Sequence, residues 1–286
     1  YASWLFEPSR AGVDDDYSKY QANGNGHATC NEPTIAWGDM VEKVIDPLVA
    51  ALLEMMKERQ NGLQAASISC LIRLTEEAEV EMIRYASSTV EVMAEAFQFY
   101  GLKNSSLLCD LISVLCDIAP DIALPHQSST YLPQVLSKFT TMPVCHSLQF
   151  AVMECLSTIS IKMGSDFVPY IGATMLRTVE VLDHCVSALE GEEAEVGIET
   201  ELIETSFDLA AALICTLESC NNCGILLTSP TLRNGQPALQ ALMHFLSKSL
   251  QHPSVDLKRA ALGFSGDLTR CLPDLVESSQ AIQPIL

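Results

Sequence analysis

An apolar helical stripe recurs along this chain at intervals of forty to fifty-odd residues, and that recurrence leaves few architectures open. In the C-terminal stretch SVDLKRAALGFSGDLTRCLPDL, residues Leu257, Ala260, Ala261, Phe264 and Leu268 fall at i, i+3, i+4, i+7 and i+11, one face of a 3.6-residue helix. The spacing returns from Leu63 (Ala66, Cys70, Leu74), from Leu148 (Ala151, Val152, Cys155, Leu156, Ile159) and from Ile203 (Phe207, Ala210, Ala211, Ile214). A looser version runs from Leu107 through Leu111, Leu115 and Ile118. The starts are 44, 41, 55 and 54 residues apart. A period of about 40–47 residues with two helices per unit marks a HEAT or armadillo solenoid. No unit can bury its stripe alone, so neighbours stack and leave a long concave surface for partners. The expected fold is an all-α HEAT-repeat solenoid, a right-handed superhelix of antiparallel helix pairs. Such a chain binds rather than transforms.

Hydrophobic residues make up 48% of the 286, enough for a continuous core, while the 6% aromatic share suits packed helices better than sheets. Lys and Arg number 16 against 36 Asp and Glu, a formal net charge of −20. That balance excludes nucleic acid, whose phosphates need cations, and anionic membrane surfaces. It suits basic protein partners, although acidity also simply keeps a large solenoid soluble. The 11 cysteines are odd in number and sit mostly within apolar helical stripes, unlike a secreted disulfide framework. Free thiols in a reducing compartment are expected. No apolar run reaches the length of a membrane span. Tyr1 stands in what reads as the end of a helix, so the chain is expected to be an internal piece of a longer protein.

Along the chain, residues 1–286 read as one HEAT-repeat solenoid with about five complete helix pairs. The polar stretch 9–33, with Asp14, Asp15, Asp16, Gly24 and Gly26, cannot build a core and is expected to be a flexible loop. Helices are expected over about 36–57 and 63–78, 81–99 and 105–118, 131–139 and 143–163, 167–189 and 202–219, and 237–249 and 255–271. An acidic linker, 190–201, separates the fourth pair, and Gly164 is expected as a C-cap.

Enzyme chemistry finds no foothold. Cys220 and Cys223 form a lone Cys-x-x-Cys, short of the four ligands of a structural zinc, and the six histidines show no metal spacing. Neither a phosphate-binding glycine loop nor a nucleophile elbow is present. No cofactor and no metal are expected. The carboxylates are more informative, because they recur on the second helix of each pair, off the apolar stripe. Asp110 and Asp117 share a face, as do Glu201, Glu204 and Asp208; Glu76 and Glu77 close the first such helix and Asp267 lies in the last. Second helices of stacked pairs line the concave side, so these acids could form a negative track. Unpaired like charges there cost stability unless a cationic ligand occupies the track.

The blocks KNSSLLCDLISVLCDIAP, LQFAVMECLSTISIKMGSDFVPYI and DLKRAALGFSGDLTRCLPDLVESSQAIQPIL resemble, in order and spacing across about residues 47–286, the transportin family of karyopherin-beta nuclear import receptors. The resemblance implies cargo whose nuclear localisation signal is disordered, basic and closed by a proline–tyrosine element. It also implies release by Ran-GTP, passage through nucleoporins in the full-length protein, and shuttling between cytoplasm and nucleus. Carried over by position, Glu76, Leu107 and Asp110 would receive the Arg and Pro–Tyr end of the signal. Phe150, Asp208 and Asp267 would form a second pocket for its hydrophobic or basic end. Arg73 and Val114 stand where the family has threonines near the first pocket, and Thr205 replaces an apolar residue of the second. Trp4 resembles a tryptophan beside, not at, a family cargo position. The competing class is a HEAT scaffold of a phosphatase or vesicle-coat complex, which would not need carboxylates aligned across repeats.

Overall fold

A computed structural model describes residues 40–124, 131–144, 146, 148–189, 198–220 and 235–273. The expected loop at 9–33, both tryptophans, Cys223, most of the acidic linker and the C-terminal PIL lie outside them. All elements of the described residues are helical. The pairs are α1 (Asp46–Lys57) with α2 (Asn61–Met82), and α3 (Ala86–Ala96) with α4 (Leu102–Ile118). After the single-turn α5 (Pro120–Ala123) come α6 (Leu132–Thr141) with α7 (Gln149–Met163), α8 (Val168–Leu189) with α9 (Ile198–Ser219), and α10 (Ala238–Gln251) with α11 (Val255–Cys271).

Sequence chemistry sets the ends. Pro47 lies in the first turn of α1 and Pro133 in that of α6, where a missing N–H costs nothing. Ser254 caps α11, its hydroxyl accepting from the Leu257 N–H at 3.4 Å. Gly164 ends α7 at φ 54°, a region costly for any residue with a Cβ. Helix starts are the main departure from expectation. A break at Glu79 and a 3-10 turn, Ile83–Tyr85, precede α3, so its α-helical part begins at Ala86 rather than Glu81. Likewise α7 begins at Gln149 rather than Pro143. Helix α9 starts at Ile198, placing Glu199 and Glu201 in its first turn.

The pairs stack in two rows. The second helices α2, α4, α7, α9 and α11 each pack on the next, while α1 packs on α3, and α6, α8 and α10 follow one another in the first row. Packing is closer along the second row, the row that lines the concave side in stacks of this kind and is hence the inner row. One continuous core fills the space between rows; Met56, Leu71, Leu108, Phe139, Leu156, Leu182 and Phe207 are all buried in it. This is an all-α HEAT-repeat solenoid.

Polar and aromatic contacts fix the register of the inner row. The Asn104 amide donates to Gln64 Oε1 at 2.7 Å and to the Asn61 carbonyl at 3.1 Å, tying the starts of α4 and α2. Ser206 on α9 donates to the Met153 sulfur on α7 at 3.6 Å. Phe207 and Phe264 stack with centroids 5.1 Å apart between α9 and α11. N-terminal residues thus meet N-terminal residues, and the inner-row helices run parallel.

Candidate ligand-binding face

Apolar spacing buries one side of each inner-row helix and leaves the opposite side free. On α4, Leu108, Leu111, Ile112 and Leu115 are buried, whereas Leu107, Asp110 and Val114 are half-buried and Asp117 is exposed. On α7, Phe150 is half-buried and Glu154 exposed, one turn apart. On α9, Glu204 and Thr205 are half-buried and Asp208 exposed; on α11, Asp267 is half-buried. Each acid therefore sits on the face turned away from the core.

The parallel register places Asp110, Glu154, Asp208 and Asp267 at one level across α4, α7, α9 and α11. Their electrostatics agree with this placement. Burial, and then the charge of Glu154 on the next helix, push the Asp110 carboxyl up to about 6. Partial desolvation of its carboxyl, although the residue as a whole is exposed, and then the charge of Asp267 raise Asp208 as well. Glu204 is raised by burial and by Asp256, against a lowering by Arg259. Negative charges thus face negative charges across two helix junctions. Among the described residues, Asp110, Glu154 and Asp208 form no ion pair.

Closer to the helix C-termini the charges are paired. Arg73 meets Glu76 at 3.0 Å within α2, Lys162 on α7 meets Asp117 on α4 at 3.1 Å, and Arg270 on α11 meets Glu218 on α9 at 3.6 Å. Arg270 also lies 3.6 Å from Asp267. The face therefore has an open acidic level beside a neutralised one.

Of the six residues singled out from sequence, the structure brings Asp110 and Asp208 to the open level and Asp267 beside them, where Arg270 lies 3.6 Å from it. Leu107 stands one turn before Asp110, and Phe150 one turn before Glu154 on the helix between α4 and α9. Glu76 belongs to the paired level, its carboxylate held by Arg73. Glu154 was missed; it is the lone acid of α7, off the apolar stripe, and that isolation was its signal. Among the described residues no group of three or more His, Cys, Asp and Glu could hold a metal, and no helix is long and apolar enough to cross a membrane.

No family model matches the chain. Individual relatives do. Importin subunit beta-2 of Schizosaccharomyces pombe is 24% identical over 231 residues, 79% of this chain and 24% of that protein. Human transportin-1 is 27% identical over 139 residues, 48% of this chain and 16% of its own length. The chain is related to the transportins. Importin subunit beta-2 of Saccharomyces cerevisiae adds a match of 26% identity over 178 residues, 60% of this chain and 18% of that protein. The chain thus spans at most about a quarter of the transportin relatives it matches.

Proposed function

We propose that this chain is the cargo-binding part of a nuclear import receptor of the transportin type. Its ligand is a basic, disordered nuclear localisation signal ending in a proline–tyrosine element. The reading rests on one observation: carboxylates at one level of consecutive inner-row helices face each other, and of these Asp110, Glu154 and Asp208 have no ion-pair partner among the described residues, Asp267 alone lying 3.6 Å from a cation, Arg270. An extended peptide with Lys or Arg at suitable intervals supplies those cations. Each charge-assisted contact contributes on the order of 1 kcal/mol or somewhat more, offset by the ordering of a disordered ligand. Leu107 and Phe150, each one turn from an acid, offer apolar ground for the ends of the signal. Asp110, with Leu107 and Glu76, receives the Arg and Pro–Tyr end, and Asp208 and Asp267, with Phe150, receive the other. In the longer protein Ran-GTP releases the cargo and nucleoporins carry the receptor between cytoplasm and nucleus.

The test compares a fluorescent basic peptide ending in Pro-Tyr with a scrambled peptide. Substituting Asp110 and Asp208 together with Ala should weaken binding of the first by about 10- to 100-fold, as expected for two such contacts. Affinity left intact in a folded double variant counts against the assignment.

A further inference from the structure

Two thiols from different repeats meet beside this face. Cys215 on α9 and Cys271 on α11 are 56 residues apart in sequence, yet their sulfurs lie 3.6 Å apart. Arg270 Nη2 lies 2.8 Å from Cys215 Sγ. Cys215 is half-buried and reachable from solvent, whereas Cys271 is buried. Cys109, Cys116, Cys155 and Cys185 are buried, while Cys70 and Cys220 are half-buried like Cys215; what sets Cys215 apart is the thiol of Cys271 and the guanidinium of Arg270 against its sulfur.

We propose that Cys215 and Cys271 form an oxidisable dithiol that a hydroperoxide converts into a disulfide stapling α9 to α11. The two thiols differ in exposure, Cys215 meeting the oxidant and Cys271 resolving the product from within van der Waals reach. Arg270 Nη2 donates to Cys215 Sγ at 2.8 Å and orients that sulfur beside Cys271. Burial, then the hydrogen bond and charge of Cys215, push Cys271 up to about 12, so it keeps its proton. Cys215 thiolate attacks one peroxide oxygen; the O–O bond breaks, the departing hydroxide takes a proton to become water, and Cys215 becomes a sulfenic acid. The Cys271 sulfur then attacks the Cys215 sulfur. The S–S bond forms, the S–O bond breaks, and the hydroxyl leaves as water with the Cys271 proton. Overall, two thiols and one hydrogen peroxide yield one disulfide and two waters, and an external dithiol reverses the change.

The position gives the bond a consequence. Asp208 lies two turns before Cys215 on α9 and Asp267 one turn before Cys271 on α11. A covalent link there fixes the spacing of the two helices that carry one facing acid pair. It also converts the thiol that Arg270 engages into a disulfide sulfur, leaving Asp267 and Glu218 as the charged partners of Arg270.

The experiment treats the reduced full chain with one equivalent of hydrogen peroxide and maps cysteine products by peptide mass spectrometry. The expected first product is a Cys215–Cys271 cross-linked peptide, reversed by dithiothreitol and accompanied by a higher melting temperature. In C271S, Cys215 should be trapped as a sulfenic acid by dimedone. In R270Q the oxidation should slow, while R270K, which keeps a cationic donor, restores the rate. A Cys215 sulfenic acid accumulating without the cross-link in the unsubstituted chain overturns the proposal. So does a Cys215 no faster to oxidise than Cys109 or Cys155, or a rate unchanged in R270Q.

Discussion

Arg73 Nη1 donates to Glu76 Oε2 at 3.0 Å across one turn of α2, so the carboxylate that the transportin resemblance assigns to a cargo arginine is already engaged by an arginine of the chain. Both side chains are solvent-accessible, and such pairs contribute about 0.2–1 kcal/mol. Replacing Arg73 with threonine frees Glu76 and removes a repelling cation from the groove. A basic proline–tyrosine peptide should then bind about 2- to 5-fold more tightly, and the gain should shrink at high salt. Fluorescence anisotropy at two ionic strengths measures both effects. No change at low salt would remove Glu76 from the site.

Much of this arrangement was legible in the sequence, because apolar spacing determines which side of each helix is buried. Once Leu108, Leu111 and Leu115 face the core, Asp110 must face away, and the same logic places Asp208 and Asp267. Levels across the stack were not legible. They depend on inter-helix register, which the Gln64–Asn104 and Met153–Ser206 contacts set. For that reason Asp117 was grouped with Asp110, although Lys162 from the next repeat neutralises it. Glu154 escaped notice because its significance lies in a residue of another helix. The start of α3 was misplaced because a 3-10 turn, Ile83–Tyr85, precedes it and apolar spacing looks alike through both.

Asp110 should make stability depend on pH in an unusual direction. Its folded carboxyl lies near 6 against an ordinary 3.8, so the folded chain holds that proton more tightly than the unfolded one. The contribution is fully present below the ordinary value and is lost as pH rises through about 6. Above that, ionised Asp110 is a constant cost. Asp110→Asn should therefore stabilise the chain at pH 7 by on the order of 1 kcal/mol, after allowance for solvent screening, and by progressively less toward pH 4. Denaturant titrations of both chains at intervals between these values test the sign; a difference that grows as pH falls would contradict it.

Arg177 joins two first-row helices. From α8, its Nε donates to the Phe139 carbonyl at 3.1 Å and its Nη2 to the Met142 carbonyl at 2.5 Å, while Nη1 meets Glu180 at 3.1 Å. The two carbonyls lie at the C-terminal end of α6, where helix carbonyls lack intrahelical partners and a cation is favoured. Arg177→Ala should cost about 2–3 kcal/mol, because it strands buried acceptors. Arg177→Lys should recover only part of this, since one ammonium cannot span both carbonyls as the planar fork does. Urea melts of the two variants give the comparison, and equal stability of Lys and Ala would deny the fork its role.

Phe207 and Phe264 decide how firmly α9 holds α11. Both rings are buried and stack at 23° between planes, their centroids 5.1 Å apart. Either ring cut to alanine leaves a cavity between two parallel helices that are also anchored elsewhere, so the gap cannot simply close. The expected cost is about 3–5 kcal/mol for each. The double variant should cost less than the sum by about 0.5–1.5 kcal/mol, the part belonging to the ring pair itself. Because the rings sit at the level of Asp208 and Asp267, loosening them also alters the spacing of that acid pair. Phe264→Leu keeps most of the apolar volume but loses the stacking, and so separates the two effects: stability should fall only modestly while peptide affinity declines. A stability loss with peptide affinity wholly unaffected would mean that the spacing of α9 and α11 does not govern the binding face.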